Sequence, residues 1–458
     1  MCNFSFRNGF DAAFWDYFDM MLDERLKEFY RSSPMREGIL CWYPFETGKY
    51  VLDISDGALA PMLERRKLNV FGKDSQDKPS KFDYIVLIDP DDFTVDKLKQ
   101  WQSALSNKGR LLMAFENPFA LRYFSGKPSP VSKKPFGTIT DSGSWPGMAE
   151  MQIRLKKAGF EGQKWYYPLS DHWFATEIYS DNHHPNEFLN QRFLPYVLHD
   201  DNILYDERLL YREVIRGGAF KFMCGAYLVE ARVTKEDTPC PVDYVAVTSY
   251  RQPEKRFATT IWNDGTAQKT PLCPEGRAKM HQLVRNHEDL AKLGINVVEA
   301  KIQGDAVVMP LIKLPTLIDY WARKLADGTF VEDEMYRQFD VIKDAIHKSS
   351  ANGKCYWEMV PANCFYDEAN DEYLFFDQEY DWDGVGPEFA VARAIGAVVY
   401  SPAIKSHTQS ARLYEALKER YGLTENWAKH VRLLRKTYEE VYDGDNAFAL
   451  QHAARRRT

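Results

Sequence analysis

The sequence predicts two successive units that both mix helices and strands. In the first, over about residues 1–185, short apolar strands alternate with helices, a pattern typical of a mostly parallel sheet with helices on its faces. In the second, over 241–458, strands come first and helices dominate from Thr316 onward, which predicts a small β-lobe (241–315) followed by a larger α-lobe (316–458). A chain of 458 residues is long for one hydrophobic core, so we expect more than one domain.

Composition excludes several classes of function. The hydrophobic fraction of 45% and the charged fraction of 27% are those of an ordinary globular protein. The net charge of −7 argues against a nucleic-acid partner, since only the tail Arg455-Arg456-Arg457 is a basic run. No apolar stretch is long enough to span a membrane. The 7 cysteines include no Cys-x-x-Cys pair, which favours reduced thiols in the cytoplasm over a zinc site.

In the first unit, three strands are expected at 50–54, 82–88 and 110–115, and helices at 57–63, 95–105 and 148–158. Lys164 to Tyr167 is predicted to be an antiparallel strand near the edge of the sheet. The segment 124–147 is rich in Gly, Pro, Ser and Lys and is predicted to be a long loop. Residues 186–240 are expected to connect the two units or to begin the second.

In the second unit, a hairpin is predicted around Asn263-Asp264-Gly265, which joins a strand at 256–262 to a return strand. Another strand, 244–249, precedes this hairpin. A helix at 276–293 follows, because its apolar residues fall on one stripe, and two further strands are expected at 296–302 and 306–309.

The second unit also contains the residue types that phosphoryl transfer from ATP requires. That chemistry uses a lysine on a strand, a carboxylate near the acceptor hydroxyl, and an Asn and an Asp that hold metal ions. Lys269 lies on the return strand, and Asn363 follows Glu358 by five residues, the spacing of a kinase catalytic loop. A polar turn and a strand then lead to Asp377. A Glu-x-x-x-x-Asn spacing alone also occurs on ordinary surfaces, but the apolar flanks and the hairpin favour a functional site.

These segments resemble the kinase-like domains that are fused to methyltransferases in O-antigen chain-terminating enzymes of bacterial surface-polysaccharide synthesis. The matching motifs are Lys269-Thr270-Pro271-Leu272, Pro361-Ala362-Asn363-Cys364-Phe365, Phe376-Asp377-Gln378-Glu379, Pro387-Glu388-Phe389 and Arg393-Ala394-Ile395. The resemblance implies that Lys269 contacts phosphate and that Asn363, Asp377 and, as a supplement, Glu379 bind Mg²⁺. Glu358 occupies the catalytic position, where the family has Asp.

The same resemblance implies a substrate and partners. In those enzymes the terminal sugar of a lipid-linked polysaccharide is phosphorylated and the phosphate is then methylated. ATP and Mg²⁺ are therefore the implied cofactors, and a glycan or lipid-linked saccharide is the implied acceptor. A glycosyltransferase is a possible partner, and the implied location is cytoplasmic, either free or peripheral to the inner membrane.

The first unit resembles a class I S-adenosylmethionine-dependent methyltransferase domain over residues 35–182, which implies a reduced Rossmann-like fold. The resemblance lies in Trp42-Tyr43-Pro44-Phe45, Val51-Leu52-Asp53-Ile54, Gly57-Ala58-Leu59, Gly109 to Ala114 with Glu116-Asn117, Leu121 to Gly126, and Ala158-Gly159-Phe160 with Tyr166-Tyr167-Pro168. It implies that Asp53 and Gly57 lie at the turn that binds the cofactor.

Two departures from that family predict that methyl transfer has been lost. Ser55 and Asp56 stand where the family has glycine or other small residues, so the backbone loses its close approach to the cofactor. The segment 67–82 is too short for a second strand, a second helix and a third strand, which leaves Asp74 and Asp77 in a loop. Two alternatives stay open: an active methyltransferase, or a catalytically decayed platform for binding or assembly.

Overall fold

The structure is a computed structural model that describes residues 34–55, 57–141, 145–187, 189, 207–399, 401, 404 and 410–442. These residues form a mixed α/β fold built on one large mixed sheet. Asp56, the Arg455–Arg457 tail and part of the expected connecting segment 186–240 lie outside the described residues.

The large sheet has twelve strands. In spatial order they are β11 (Lys301–Gln303), β12 (Ala306–Pro310), β10 (Thr266–Pro271), β9 (Phe257–Trp262), β8 (Val242–Val247), β6 (Glu177–Ser180), β5 (Gly162–Leu169), β7 (Ala226–Arg232), β4 (Leu105–Glu116), β3 (Phe82–Ile88), β1 (Tyr50–Ile54) and β2 (Asn69–Gly72). Strands β2, β1, β3 and β4 run parallel, and every other neighbouring pair in this sheet is antiparallel.

The remaining elements are helices and two small sheets. The α-helices are α1 (Ala60–Arg65), α2 (Val95–Ala104), α3 (Leu121–Phe124), α4 (Gly137–Thr140), α5 (Met148–Lys157), α6 (Glu207–Arg216), α7 (Phe220–Met223), α8 (Arg277–Lys292), α9 (Leu317–Ala326), α10 (Glu332–Ser349), α11 (Pro387–Val399), α12 (Ser410–Arg420) and α13 (Trp427–Val441). The small sheets pair β13 (Lys354–Cys355) with β16 (Trp382–Asp383), and β14 (Cys364–Asp367) with β15 (Glu372–Phe375).

Many of the predicted elements are confirmed. The strands at 50–54 and 82–88 have the predicted bounds, and the hairpin at Asn263-Asp264-Gly265 joins β9 to β10 with Gly265 at a φ of 84°. Among the described residues, most elements after Thr316 are helical, as expected. Strand β4 begins at Leu105 and not at 110. The residues Asn107, Lys108 and Gly109, which the sequence would place at the end of helix α2, therefore belong to this strand.

The expectation that 164–167 lies near a sheet edge was wrong. Strand β5 lies inside the sheet because β7, from the segment expected to be a connector, pairs with it on one side and β6 on the other. Every residue of β7 is buried. Its Glu230 carboxylate accepts a hydrogen bond from Tyr43 (2.7 Å) and lies 3.3 Å from the Arg110 guanidinium. These long-range partners hold β7 in place, and the local sequence does not show them.

The segment 67–82 does not hold a second strand, a second helix and a third strand together, as expected, but it does hold one strand that the sequence did not reveal. Strand β2 occupies Asn69–Gly72 and pairs in parallel with β1. The chain then passes through turns to β3 without a helix. The strand was missed because it has four residues and only intermediate or exposed side chains, so no apolar run marks it.

Strands β6 and β8 join the two halves of the chain into one sheet. Glu177 pairs with Ala246, and Ile178 pairs with Val245. Ile178 and Val245, which pair at this junction, belong to one buried apolar cluster that extends from Val51 on β1 to Ala258 on β9. A separate buried cluster fills the helical part of the chain around Trp321, Phe339, Trp357 and Ile395.

A substitution at Gly225, which immediately precedes β7, tests how closely the chain before β7 packs against Ser170. A Cβ atom there would lie 1.9 Å from the backbone oxygen of Ser170, so Gly225→Ala must displace backbone. We expect a loss of about 3 kcal/mol in the free energy of unfolding, measured by urea denaturation. The control is Gly72→Ala, where the nearest atom is the Ser75 hydroxyl at 3.9 Å. Equal stability of the two variants would contradict the close approach at Gly225.

Candidate functional site

A cleft of about 690 Å³ lies between the β8–β12 part of the sheet and the helical part of the chain. The sheet side is lined by residues that include Tyr244 and Ala267. Phe376 and Asp377 also line the cleft, together with residues between Glu177 and Leu189 and residues between Met309 and Thr316. The cleft therefore brings together the two regions in which the sequence predicted site residues.

Lys269 is the central cation of this site. Its side chain extends from β10, is 5% exposed, and lies over the ring of Phe257 at 5.5 Å. The ammonium contacts the Asp377 carboxylate at 2.5 Å and also forms an ion pair with Glu379. A buried ammonium needs such partners, because removing an ion from water is costly unless opposite charges compensate. The structure thus brings together three of the predicted residues.

Glu358 lies against the same cluster. Its carboxylate accepts a hydrogen bond from the backbone N–H of Glu379 at 3.2 Å, and the residue is 8% exposed. Burial, together with the nearby Asp377 carboxylate, raises the pKa of Glu358 to about 7. Nearby cations oppose this rise. A carboxyl group with a pKa near neutrality is suited to exchange a proton with a substrate hydroxyl.

Asn363 and Asp377 are positioned by the β14–β15 hairpin and the turn before it. The side-chain amide of Asn363 donates to the backbone carbonyl of Glu358 (3.2 Å). The backbone carbonyl of Asn363 accepts a hydrogen bond from the backbone N–H of Phe376 (3.0 Å). Asp377 has a φ of 57°, a left-handed backbone conformation that non-glycine residues rarely adopt. Burial would raise the pKa of Asp377, but Lys269 and further cations hold it below its usual value.

Helix α8 is tied to this site by neutral side chains and not by a carboxylate. His287 donates from Nδ1 to the carbonyl of Val298 (2.7 Å), so Nε2 is free to accept from the N–H of Gln378 (3.3 Å). Asn286 donates to the carbonyl of Gln378 at 3.0 Å. From the sequence, the helix partner of Lys269 stayed open among Glu275 at the start of the helix, His281 within it and Glu288 late in it.

The described contacts of Lys269 do not include Glu275, His281 or Glu288. Glu379 provides the second carboxylate instead.

Two arginines, Arg251 and Arg393, add positive charge near the carboxylates of the site. Arg251 donates to the Glu379 carboxylate (3.3 Å) from the loop between β8 and β9. Arg393, on α11, lies 4.6 Å above the ring of Trp357 and acts electrostatically on Glu358. The Arg393 motif was visible in the sequence, but its role was not, because it depends on the packing of α11 against the turn that holds Trp357 and Glu358.

The donor groups fit a magnesium ion that is completed by phosphate oxygens. Mg²⁺ is usually held by one or two carboxylates together with substrate phosphates, and Asp377, Glu379 and Asn363 offer carboxylate and amide oxygens. The Asp377 side chain is 35% exposed and lines the cleft. Within the described part of the chain, no group of three His, Cys, Asp or Glu residues is arranged to hold a metal by itself.

In the first half, the two predicted cofactor residues lie near the end of β1 (Asp53) and in the turn that follows it (Gly57). The Asp53 carboxylate accepts the N–H of Ser55 (3.1 Å), and the Ser55 hydroxyl accepts the N–H of Leu59 (3.2 Å). Gly57 has a φ of 75°, so the turn requires its conformational freedom. Helix α1, which follows, has six residues. Part of the hydrogen-bonding capacity of this turn is thus used within the turn itself.

A buried ion-pair network, which the sequence did not predict, lies at the carboxyl ends of β3 and β4. Arg122 is 2% exposed and contacts Glu116 at 2.8 Å and Asp171 at 3.4 Å. His172 contacts Asp89 at 2.7 Å. Ligands of open α/β sheets bind at this edge, so the network lies where a cofactor would be expected.

The rings of Tyr380, Trp382 and His183 make aromatic contacts within the protein. Tyr380 is 2% exposed and stacks on Trp357 at 4.8 Å, and Trp382 stacks on Phe389 at 5.3 Å, so both rings pack within the protein. His183, of the His183-His184 pair, packs against Tyr244 at 4.8 Å.

No protein-family model and no curated protein matches this chain. Across the described ranges, no helix has the length and apolar character needed to cross a membrane.

The ion pair of Glu116 predicts a dependence of stability on pH. Burial would raise its pKa, but Arg122 and Lys127 lower it to about 2, below the usual value of 4.5. The ionised group therefore stabilises the fold above pH 4.5, and this contribution is lost as the pH falls toward 2. We expect Glu116→Gln to remove about 3 kcal/mol at pH 7 and much less near pH 3, measured by urea denaturation.

The control for this experiment is Glu150→Gln, which removes an exposed carboxylate that pairs with Arg154 on the same helix. We expect a change within about 0.5 kcal/mol at either pH. A Glu116→Gln variant that loses the same stability at pH 7 and pH 3 would contradict the ion-pair assignment.

Proposed function

We propose that this chain is an ATP- and Mg²⁺-dependent phosphotransferase that acts on a hydroxyl group. The observation that carries the proposal is the convergence of Lys269, Asp377 and Glu379 beside a cleft that Asp377 lines, with the Glu358 carboxylate hydrogen-bonded to the backbone N–H of Glu379. Phosphoryl transfer depends mainly on such positioning of charges.

The arrangement of elements supports a two-lobed kinase-like unit. Strands β8, β9, β10, β12 and β11 form an antiparallel array, and α8 lies between β10 and β11 in the chain. Lys269 is on the third of these strands, as the phosphate-binding lysine is in protein kinases. The cleft lies between this array and the helices that follow.

Each residue has a proposed role in the reaction. Lys269 binds phosphate oxygens, Asp377 and Asn363 hold Mg²⁺, and Glu379 supplements them. When bound, the metal ions neutralise charge on the phosphates. The acceptor oxygen forms a bond to the γ-phosphorus while the bond to the β-γ bridging oxygen breaks. Glu358 accepts the proton of the acceptor hydroxyl, for which its pKa of about 7 is suited.

The acceptor is proposed from the family resemblance alone. It implies a sugar hydroxyl of a surface glycan or a lipid-linked saccharide, with a glycosyltransferase as partner, at the cytoplasmic side of the inner membrane. The first half would then be a reduced Rossmann-like scaffold that positions the substrate. Its parallel strands β2, β1, β3 and β4, with antiparallel β7 between β4 and β5, support that assignment.

Binding of Mg·ATP tests the proposal directly. Asp377→Asn removes a metal-binding charge from the cleft, so we expect its affinity for Mg·ATP to fall at least tenfold relative to wild type, measured by isothermal titration calorimetry. The control Asp383→Asn removes an exposed carboxylate from β16 and should bind as wild type does. A wild-type protein that does not bind Mg·ATP would instead favour a decayed binding or assembly platform.

Methyl transfer is a second candidate function, which the presence of β2 favours. Class I methyltransferases hold the cofactor ribose with an acidic residue at the end of the second strand. Asp74 follows Gly72, the last residue of β2, by two positions and is exposed. If this function is retained, S-adenosylmethionine binds the wild-type protein and Asp74→Asn binds it at least tenfold more weakly, measured by calorimetry.

Asp77→Asn, which changes a nearby exposed acid, is the matched control and should bind S-adenosylmethionine as wild type does. If the wild-type protein gives no binding heat with S-adenosylmethionine, the first half is a scaffold only.

A further inference from the structure

The loop between β8 and β9 (residues 248–256) differs in chemistry from the loop that covers ATP in protein kinases. That loop is glycine-rich, which lets its backbone approach the phosphates closely. Here the sequence is Thr-Ser-Tyr-Arg-Gln-Pro-Glu-Lys-Arg, without a glycine. If this loop contacts phosphate, side chains must make the contact.

One side chain of the loop reaches the candidate site. Arg251 donates from Nη1 to the Glu379 carboxylate (3.3 Å) and to the hydroxyl of Tyr380 (3.5 Å), and its side chain is 19% exposed. Its Nε has no hydrogen-bond partner among the described residues, and neither has the hydroxyl of Ser249, which is 1% exposed. The loop therefore presents one unused donor, the Arg251 Nε, on the side chain that contacts the Glu379 carboxylate, which Lys269 also contacts.

The end of helix α13 holds this loop in place. Gln252 donates from its backbone N–H to the carbonyl of Val441 (3.0 Å) and from its side chain to the carbonyl of Tyr442 (3.0 Å). The rings of Tyr250 and Tyr442 stack at 5.8 Å. A loop fixed in this way holds the Arg251 backbone in position, so less conformational entropy is lost when its side chain binds a ligand.

The charges of the site predict what Arg251 does when a nucleotide binds. Two carboxylates contact two cations in this part of the structure: Asp377 and Glu379 contact Lys269, and Glu379 also contacts Arg251. A divalent cation on the carboxylates would repel the ammonium and guanidinium groups and take their acceptors. The phosphates that arrive with the cation offer new acceptors, and a guanidinium binds phosphate in a bidentate manner.

We propose that Arg251 is a phosphate-binding residue, which replaces the backbone contacts of a glycine-rich loop with a guanidinium fixed by the C-terminal helix. This inference rests on the proposed phosphotransferase function and extends it. Arg251 exchanges its contact with Glu379 for the terminal phosphates of a nucleoside triphosphate. It makes no contact with the nucleoside.

Calorimetric titration of two ligands into the full-length protein tests this role. Arg251→Met keeps a long apolar side chain and removes the charge. We expect its affinity for Mg·ATP to fall at least tenfold and its affinity for adenosine to stay within twofold of wild type. Arg251→Lys, which keeps the charge without the planar fork, should give a smaller loss. The control Arg277→Met removes an exposed guanidinium that pairs with Asp305, and should bind both ligands normally.

The possible outcomes distinguish this inference from the function on which it rests. Normal Mg·ATP binding by Arg251→Met, with wild type also binding, overturns the role of Arg251 and leaves the phosphotransferase proposal intact. If both Arg251 variants lose affinity for Mg·ATP and for adenosine equally, Arg251 only maintains the shape of the cleft. That result would overturn the proposal that Arg251 binds phosphate. If the wild-type protein binds adenosine but not Mg·ATP, or neither ligand, both proposals are wrong.

Discussion

The ion pairs of Lys269 with Asp377 and Glu379 are the interaction on which the site depends. They connect β10 to the segment after β15, so they join the sheet to the helical part of the chain at the end of the cleft. Buried ions are stable only with partners, and loss of one partner commonly costs about 3–5 kcal/mol. The charges that stabilise this contact between the sheet and the helical part are the same charges to which the proposed function assigns the binding of Mg²⁺ and phosphate.

The continuous sheet links the first half of the chain to the strand that carries Lys269. Strand β6 pairs with β8, so the first half supports the array that carries Lys269. Glu230 on β7 anchors the other side of that half through Tyr43 and Arg110. A scaffold role therefore has a structural basis whether or not the turn at Asp53 and Gly57 still binds a ligand.

The sequence predicted those parts of the fold and site that local patterns encode. Apolar runs identified β1 and β3, the turn residues identified the β9–β10 hairpin, and the spacing of Glu358 and Asn363 predicted the candidate site, in which the Asn363 amide contacts the Glu358 carbonyl. Long-range contacts determine the rest. Strand β7 is placed by partners more than a hundred residues away, and Arg251 reaches Glu379 across 128 positions of sequence. Strand β2 is four residues long and largely solvent-facing, so no periodicity reveals it.

The most direct measurement of the central claim is the affinity of Mg·ATP for a Lys269→Met variant, compared with wild type by isothermal titration calorimetry. Circular dichroism establishes that both proteins are folded at the temperature used. We expect wild type to bind Mg·ATP and the variant to bind it at least tenfold more weakly, because the variant lacks the phosphate-binding ammonium. Equal affinities in the two proteins, or no binding by wild type, would contradict a phosphotransfer site built on Lys269.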